Sequence, residues 1–192
     1  MNRSQVERLP PIPESRQTAA QRQAAQSLIA GPRGCVSGPF AVLLRTPQLC
    51  ERTQRLGEYL RYHGALPPAL RELAILSIAR HWGQNYEWHA HVPLAERAGI
   101  SRALIDALAA DRDRDGSDAA DDADQRVLLR FCQQLQRSHQ VDDTVYAAAR
   151  ELLGEAGIVE LSALCGYYTL LAMVMNVACT ALPAGAAAAF NP

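Results

Sequence analysis

The stretch from Leu70 to Gly99 reads Leu-Arg-Glu-Leu-Ala-Ile-Leu-Ser-Ile-Ala-Arg-His-Trp-Gly-Gln-Asn-Tyr-Glu-Trp-His-Ala-His-Val-Pro-Leu-Ala-Glu-Arg-Ala-Gly. It holds both tryptophans, three of the five histidines, and two acids, Glu72 and Glu87, set among apolar residues. Pro67 and Pro68 open a helix from outside, where proline costs least. Gly83 and Asn85 interrupt the pattern, so two helices are expected, over residues 68–82 and 85–98, with Gly99 as the stop. Glu87 and His91 are one turn apart on the second helix. With Gln84 they form an i, i+3, i+7 stripe that can face one pocket.

Outward from this stretch the chain is ordinary in bulk. Its 192 residues are 48% apolar and 20% charged, enough for one domain with a substantial core. The net charge of −1 gives no field that would draw nucleic acid or an anionic membrane. The N-terminus carries no apolar signal region. Five cysteines (35, 50, 132, 165 and 179), with no Cys-x-x-Cys pair, suit reduced thiols in a cytoplasm better than a disulfide framework.

Residues 1–16, with Pro10, Pro11 and Pro13, read as an extended N-terminal arm. The segment 17–185 reads as the single domain and 186–192 as a tail carrying little information. Helices are expected from Thr18 to Ile29, from Thr46-Pro47 with Leu49, Leu56, Tyr59 and Leu60 inward, and from Ser101 to Ala110. More follow from Gln125 to Arg137, from Asp142 or Asp143 to Leu153, and from Val159 to Leu182. The last is nearly long enough to span a bilayer. Glu160, Ser162, two tyrosines and Asn176 interrupt it, and a central helix of a bundle is the better reading. No alternating strand pattern appears. The class is all-α, a bundle of about seven or eight helices. So apolar a final helix in so small a chain suggests that subunits also pack together.

Glu87 admits two readings: a surface carboxylate paired with Arg80 or Arg97, or a partly buried acid whose pKa has moved toward neutrality for proton transfer. His91, one turn away, titrates in the physiological range and is expected to be oriented by Glu87 as a coupled acid–base pair. Glu72 is expected to pair with an arginine, and His89 to lie on the surface. His89 and His91 fall on different helix faces and no further ligand cluster exists, so no metal site is expected. The acidic run 111–124 reads as a solvated loop ending in a helix cap. A sharper alternative places Asp111, Asp113, Asp115, Gly116 and Asp122 at calcium-loop positions, but Asp118 occupies an apolar anchor position and Asp122 replaces the longer glutamate. No Gly-x-Ser-x-Gly, Gly-x-Gly-x-x-Gly or Walker loop is present.

Leu-Arg-Glu-Leu-Ala-Ile-Leu (70–76), Trp-Gly (82–83), Tyr-Glu-Trp-His-Ala-His (86–91) and Ala-Glu-Arg-Ala-Gly-Ile-Ser (95–101) resemble the carboxymuconolactone decarboxylase family, which includes the alkylhydroperoxidase AhpD-like proteins. Gly-Tyr-Tyr-Thr-Leu-Leu (166–171) and Leu-Pro-Ala-Gly (182–185) resemble the C-terminal part of longer members. In the peroxidase branch a glutamate precedes Cys-x-x-Cys-x-x-x-His. Here those positions hold Glu72, then Gln84, Glu87 and His91, so both redox cysteines are missing. The resemblance therefore implies the cysteine-free branch, which includes 4-carboxymuconolactone decarboxylase. It implies an AhpD-like bundle, a homo-oligomer (dimer, trimer or hexamer), and a cofactor-independent lyase acting on a small carboxylated or lactone-type substrate. It further implies His91, Glu87 and Glu72 as catalytic residues, with Gln84, Trp88, Phe40 and Leu43 contacting substrate. The alternatives are a thiol peroxidase of peroxiredoxin type and a non-catalytic oligomeric binding protein.

Overall fold

The computed structural model describes residues 6–110, 117–120 and 122–190. Among them there are eight α-helices and no strand: α1 (Ala19–Ala30), α2 (Pro39–Leu43), α3 (Pro47–Glu58), α4 (Pro68–His81), α5 (Asn85–Arg97), α6 (Arg102–Ala110), α7 (Ala123–Ser138) and α8 (Asp143–Ala178). The chain divides into two compact units, one of Met1–His63 with Leu170–Ala181, the other of Gly64–Thr169 with Leu182–Pro192.

In the first unit, α1 is opened by a capping box. Thr18 Oγ1 accepts from the Gln21 backbone N–H at 3.2 Å while the Gln21 side chain accepts from the Thr18 N–H at 2.9 Å. Helix α1 packs on α3 through Ala24, Ala25 and Leu28. The inward face of α3 is Cys50, Thr53, Gln54 and Gly57. Leu49, Leu56 and Tyr59, expected inward, are exposed instead; only Leu60 is buried, in the π-helical turn Tyr59–His63. Small side chains at 50 and 57 permit a closer helix approach than the leucine stripe would. Pro47 is the first residue of α3, but Thr46 provides no side-chain cap and its hydroxyl donates to the Leu43 carbonyl. The N-terminal arm is tied to the end of α8: the Arg8 N–H donates to Ala178 O at 2.8 Å.

In the second unit, α4 has no exposed stripe to spare. Leu73, Ala74, Ile75, Leu76, Ile78 and Ala79 are all fully buried, and Arg71, Ser77, Arg80 and His81 are half-buried. It packs against α5, α6 and α7. Asp122 caps α7, its Oδ1 accepting from the Asp124 and Gln125 N–H groups. That use answers the calcium reading at this residue, while Asp111, Asp113, Asp115 and Gly116 lie outside the described residues.

Helix α8 is long and apolar enough to cross a membrane by length and composition. It is broken at Gly154, whose φ of 68° and ψ of 175° suit essentially glycine alone. Beyond the break Leu161, Leu164, Cys165, Tyr167 and Tyr168 are buried, and the Glu160 carboxylate accepts from the Ala65 N–H at 2.6 Å. The helix ends at Ala178, short of the expected Leu182.

Gly154→Ala should lower stability by about 1–3 kcal/mol through backbone strain. Gly166 is exposed, and a methyl group added there would meet open space. Alanine at 166 should therefore be tolerated, or stabilise by up to about 1 kcal/mol through helix propensity. Urea unfolding midpoints of the two variants check the contrast.

Candidate functional site

The site is built on the turn between α4 and α5. Gly83 reverses the chain at a φ of 60°, and Trp82 closes α4 ahead of it. Gln84 then caps α5, its side-chain oxygen accepting from the Tyr86 N–H at 2.8 Å. Gln84 is buried, as the i, i+3, i+7 stripe implies, but this oxygen is engaged in the cap. The buried face of α5 comprises Glu87, Trp88, His91 and Ala95, while His89 is on the surface.

Glu72, on α4, is 4% exposed and reaches across to α5. Its Oε2 lies 2.7 Å from His91 Nδ1, and its Oε1 accepts from Arg71 Nε at 3.3 Å. A carboxylate only accepts, so the bond to His91 fixes a proton on Nδ1 and leaves the basic lone pair on Nε2. The pairing expected from spacing within α5 is therefore not the one formed: the acid bonded to His91 is Glu72, from the preceding helix. The helical i, i+4 relation puts Glu87 on the same face as His91 but does not make it a hydrogen-bond partner.

Glu87 is 3% exposed, and both its carboxyl oxygens are buried without a hydrogen-bond partner among the described residues. Neither Arg80 nor Arg97 neutralises it. Desolvation raises its pKa well above the usual carboxylate range, because burial penalises the charged form and nothing nearby compensates. The site thus holds one acid locked to a histidine and one neutralised by its surroundings.

Three further residues complete the geometry. The Tyr168 ring meets the His91 ring edge-on at 5.3 Å between centroids. Trp88 receives Phe190 edge-on, also at 5.3 Å, and the Arg80 guanidinium lies 4.7 Å from the Phe190 ring centre. Asn85 holds the returning tail: its Oδ1 accepts from the Ala189 N–H at 2.8 Å and the Phe190 N–H at 3.2 Å, and its Nδ2 donates to Phe190 O at 2.9 Å. The tail, unremarkable as sequence, buries Phe190 against α5. The one signal of this was a lone aromatic at the end of an alanine run. Phe40 and Leu43 belong to the other unit, where both are buried and Arg33 lies 4.2 Å over the Phe40 ring. No grouping of three or more His, Cys, Asp or Glu side chains suited to a metal ion occurs among the described residues.

Residues 47–125 match the carboxymuconolactone decarboxylase family. Among solved structures, the chain resembles the alkylhydroperoxidase AhpD core of an uncharacterized peroxidase-related protein from Ralstonia eutropha JMP134, with a TM-score of 0.71, 20% identity and 88% of each chain covered. That likeness establishes an AhpD-like fold. No curated protein sequence matches the chain.

Two measurements check the site. The Nδ1 proton of His91, held by Glu72, should give a downfield proton NMR resonance that Glu72→Gln abolishes or moves and Glu87→Gln leaves in place. The second concerns pH. A raised Glu87 pKa favours the fold below the unfolded glutamate value of about 4.3, and that contribution is lost as pH rises through the folded pKa. Glu87→Gln should flatten this decline and make the protein more stable than wild type at alkaline pH, as read from urea unfolding between pH 4 and 9.

Proposed function

We propose that this chain belongs to the carboxymuconolactone decarboxylase and AhpD-like superfamily, which it resembles over residues 47–125 and in fold, and is a cofactor-independent acid–base enzyme acting on a small carboxylated or lactone-type substrate, with decarboxylation as its reaction. The observation that carries the reading is the pair of buried acids in different electrostatic states, one bonded to His91 and one without a partner. Groups whose environments push their proton affinities apart divide naturally into base and acid.

Loss of carbon dioxide from such a substrate leaves an electron pair that must flow into a carbonyl. The developing oxyanion needs a hydrogen-bond donor, and carbon must then receive a proton. Glu87, kept neutral by burial, is a donor for the oxyanion. His91 takes a proton from solvent at Nε2 before the substrate carboxylate departs as carbon dioxide and delivers that proton to the carbon left behind; the Glu72 carboxylate at Nδ1 stabilises the imidazolium that carries it. Trp88 contributes apolar wall beside Glu87, and water excluded from such a wall strengthens both interactions. The positions of the peroxidase branch's redox cysteines are held by Gln84 and Glu87, which supply no thiolate.

The reading includes a homo-oligomer in a cytoplasmic setting. Leu170, Met173 and Val177 form an exposed apolar i, i+3, i+7 row on α8 suited to a second subunit.

The test is carbon dioxide release, and deuterium uptake at carbon in heavy water, from a carboxylated unsaturated lactone. His91→Asn and Glu87→Gln should each lower kcat by roughly 100- to 10,000-fold. Activity should survive Cys→Ser replacement at all five cysteines. Turnover that persists in His91→Asn, or that disappears with one cysteine, would overturn the assignment.

A further inference from the structure

We propose that Cys132 and Cys165 form a redox-modifiable pair, which a hydroperoxide converts to an intramolecular disulfide latching α7 to α8. The proposal is independent of the acid–base reading above. The two sulfurs lie 3.8 Å apart, and both residues are buried, at 0% and 1% exposure. The approach is held by the helices around it. One turn further along both, Gln136 Nε2 donates to Thr169 Oγ1 at 3.2 Å, and Trp82 Nε1 donates to the same hydroxyl at 3.2 Å. Cys132–Cys165 and Gln136–Thr169 are therefore successive rungs between two helices advancing in the same direction. A disulfide needs its sulfurs at roughly 2.05 Å. Closing the remaining gap is the movement that the disulfide requires of the two side chains. The other three cysteines, Cys35, Cys50 and Cys179, belong to the other compact unit.

The chemistry balances with one equivalent of hydroperoxide. One sulfur, as thiolate, attacks the peroxide oxygen; the O–O bond breaks, the alkoxide or hydroxide leaves with a proton, and a sulfenic acid remains. The second sulfur attacks it, the S–S bond forms, and water departs. In sum, two thiols lose two electrons and two protons, and the hydroperoxide becomes an alcohol and water (or two waters from hydrogen peroxide). The Cys132 thiol is held well above its usual pKa, first by its hydrogen bond with Cys165 and then by burial. Thiolate is scarce at neutral pH, so the reaction is slow there and speeds up as pH rises. Once formed, the bond is shielded from external reductants by the same burial. Its place matters: Tyr168, one turn beyond Cys165, is the residue whose ring meets His91.

The experiment treats the native full-length protein with hydrogen peroxide at pH 7 and pH 9, then alkylates it under denaturing conditions and maps its peptides by mass spectrometry. The expected result is a Cys132–Cys165 cross-linked peptide with a loss of two hydrogens, accumulating faster at pH 9. It should form equally in the variant Cys35→Ser/Cys50→Ser/Cys179→Ser. The wild-type peptide map gives the answer by itself should that variant fail to fold. Full alkylation of Cys132 and Cys165 after treatment, oxidation confined to the other cysteines, or separate sulfinic acids without a cross-link would each overturn the proposal.

Discussion

Two carboxyl groups are buried in one helical hairpin, and among the described residues only Glu72 has hydrogen-bond partners. Glu72 on α4 has the His91 imidazole and the Arg71 guanidinium. These convert a buried charge from a large desolvation cost into an inter-helix tie. The tie has an orienting effect that packing alone lacks: apolar faces of α4 and α5 could slide by a fraction of a turn at small cost, but a 2.7 Å bond could not. Removing one partner from such a pair typically costs about 3–5 kcal/mol, because it leaves the other uncompensated. This contact ties α4 to α5 directly at the residues proposed for the site.

The turn joining the two helices is over-determined for the same end. Gly83 supplies the left-handed conformation, Gln84 supplies the cap, and Asn85 reaches forward to bind three backbone groups of the C-terminal tail. One side-chain amide thus answers two backbone donors and one acceptor of the passing tail. Phe190 is then placed between Arg80 and Trp88, one residue from each helix of the hairpin. The tail is thus part of the hairpin's packing rather than an appendage to it.

Much of the fold is legible in the sequence because the signals are local. The Pro67-Pro68 start and the Gly83 turn are each decided within a few residues by backbone chemistry. The inward face of α3 is not legible in this way, because the side-chain pattern favours leucines, whereas the helix packs on its small residues. At the site, the α5 stripe of Gln84, Glu87 and His91 is legible as periodicity, and all three side chains are buried. The partner of His91 is not. Spacing within one helix offers Glu87, and only the crossing of α4 over α5 brings Glu72 nearer. Tyr168, Asn85 and Phe190 escape sequence reasoning for the same cause: each acts through a partner distant in sequence.

The uncompensated acid is the sharper clue to chemistry. A carboxyl whose two oxygens are buried without partners opposes folding, either by holding charge in a poor dielectric or by staying protonated at a pH where the unfolded chain is ionised. Glutamine at 87 would remove the charge, and leucine would remove the polar group altogether; either would relieve the fold. Packing supplies no reason to keep glutamate there, since Trp88 and Ala95 already provide the apolar face. Structural acids are expected to resemble Glu72, with every oxygen answered. A site that departs from local consistency at one residue, while its neighbours are satisfied, is the pattern in which stability has been given up for function. The function consistent with that residue is one that needs a carboxylic acid rather than a carboxylate, held ready to donate where no water competes. Under the proposed function, His91 is the complementary acid–base group one turn away.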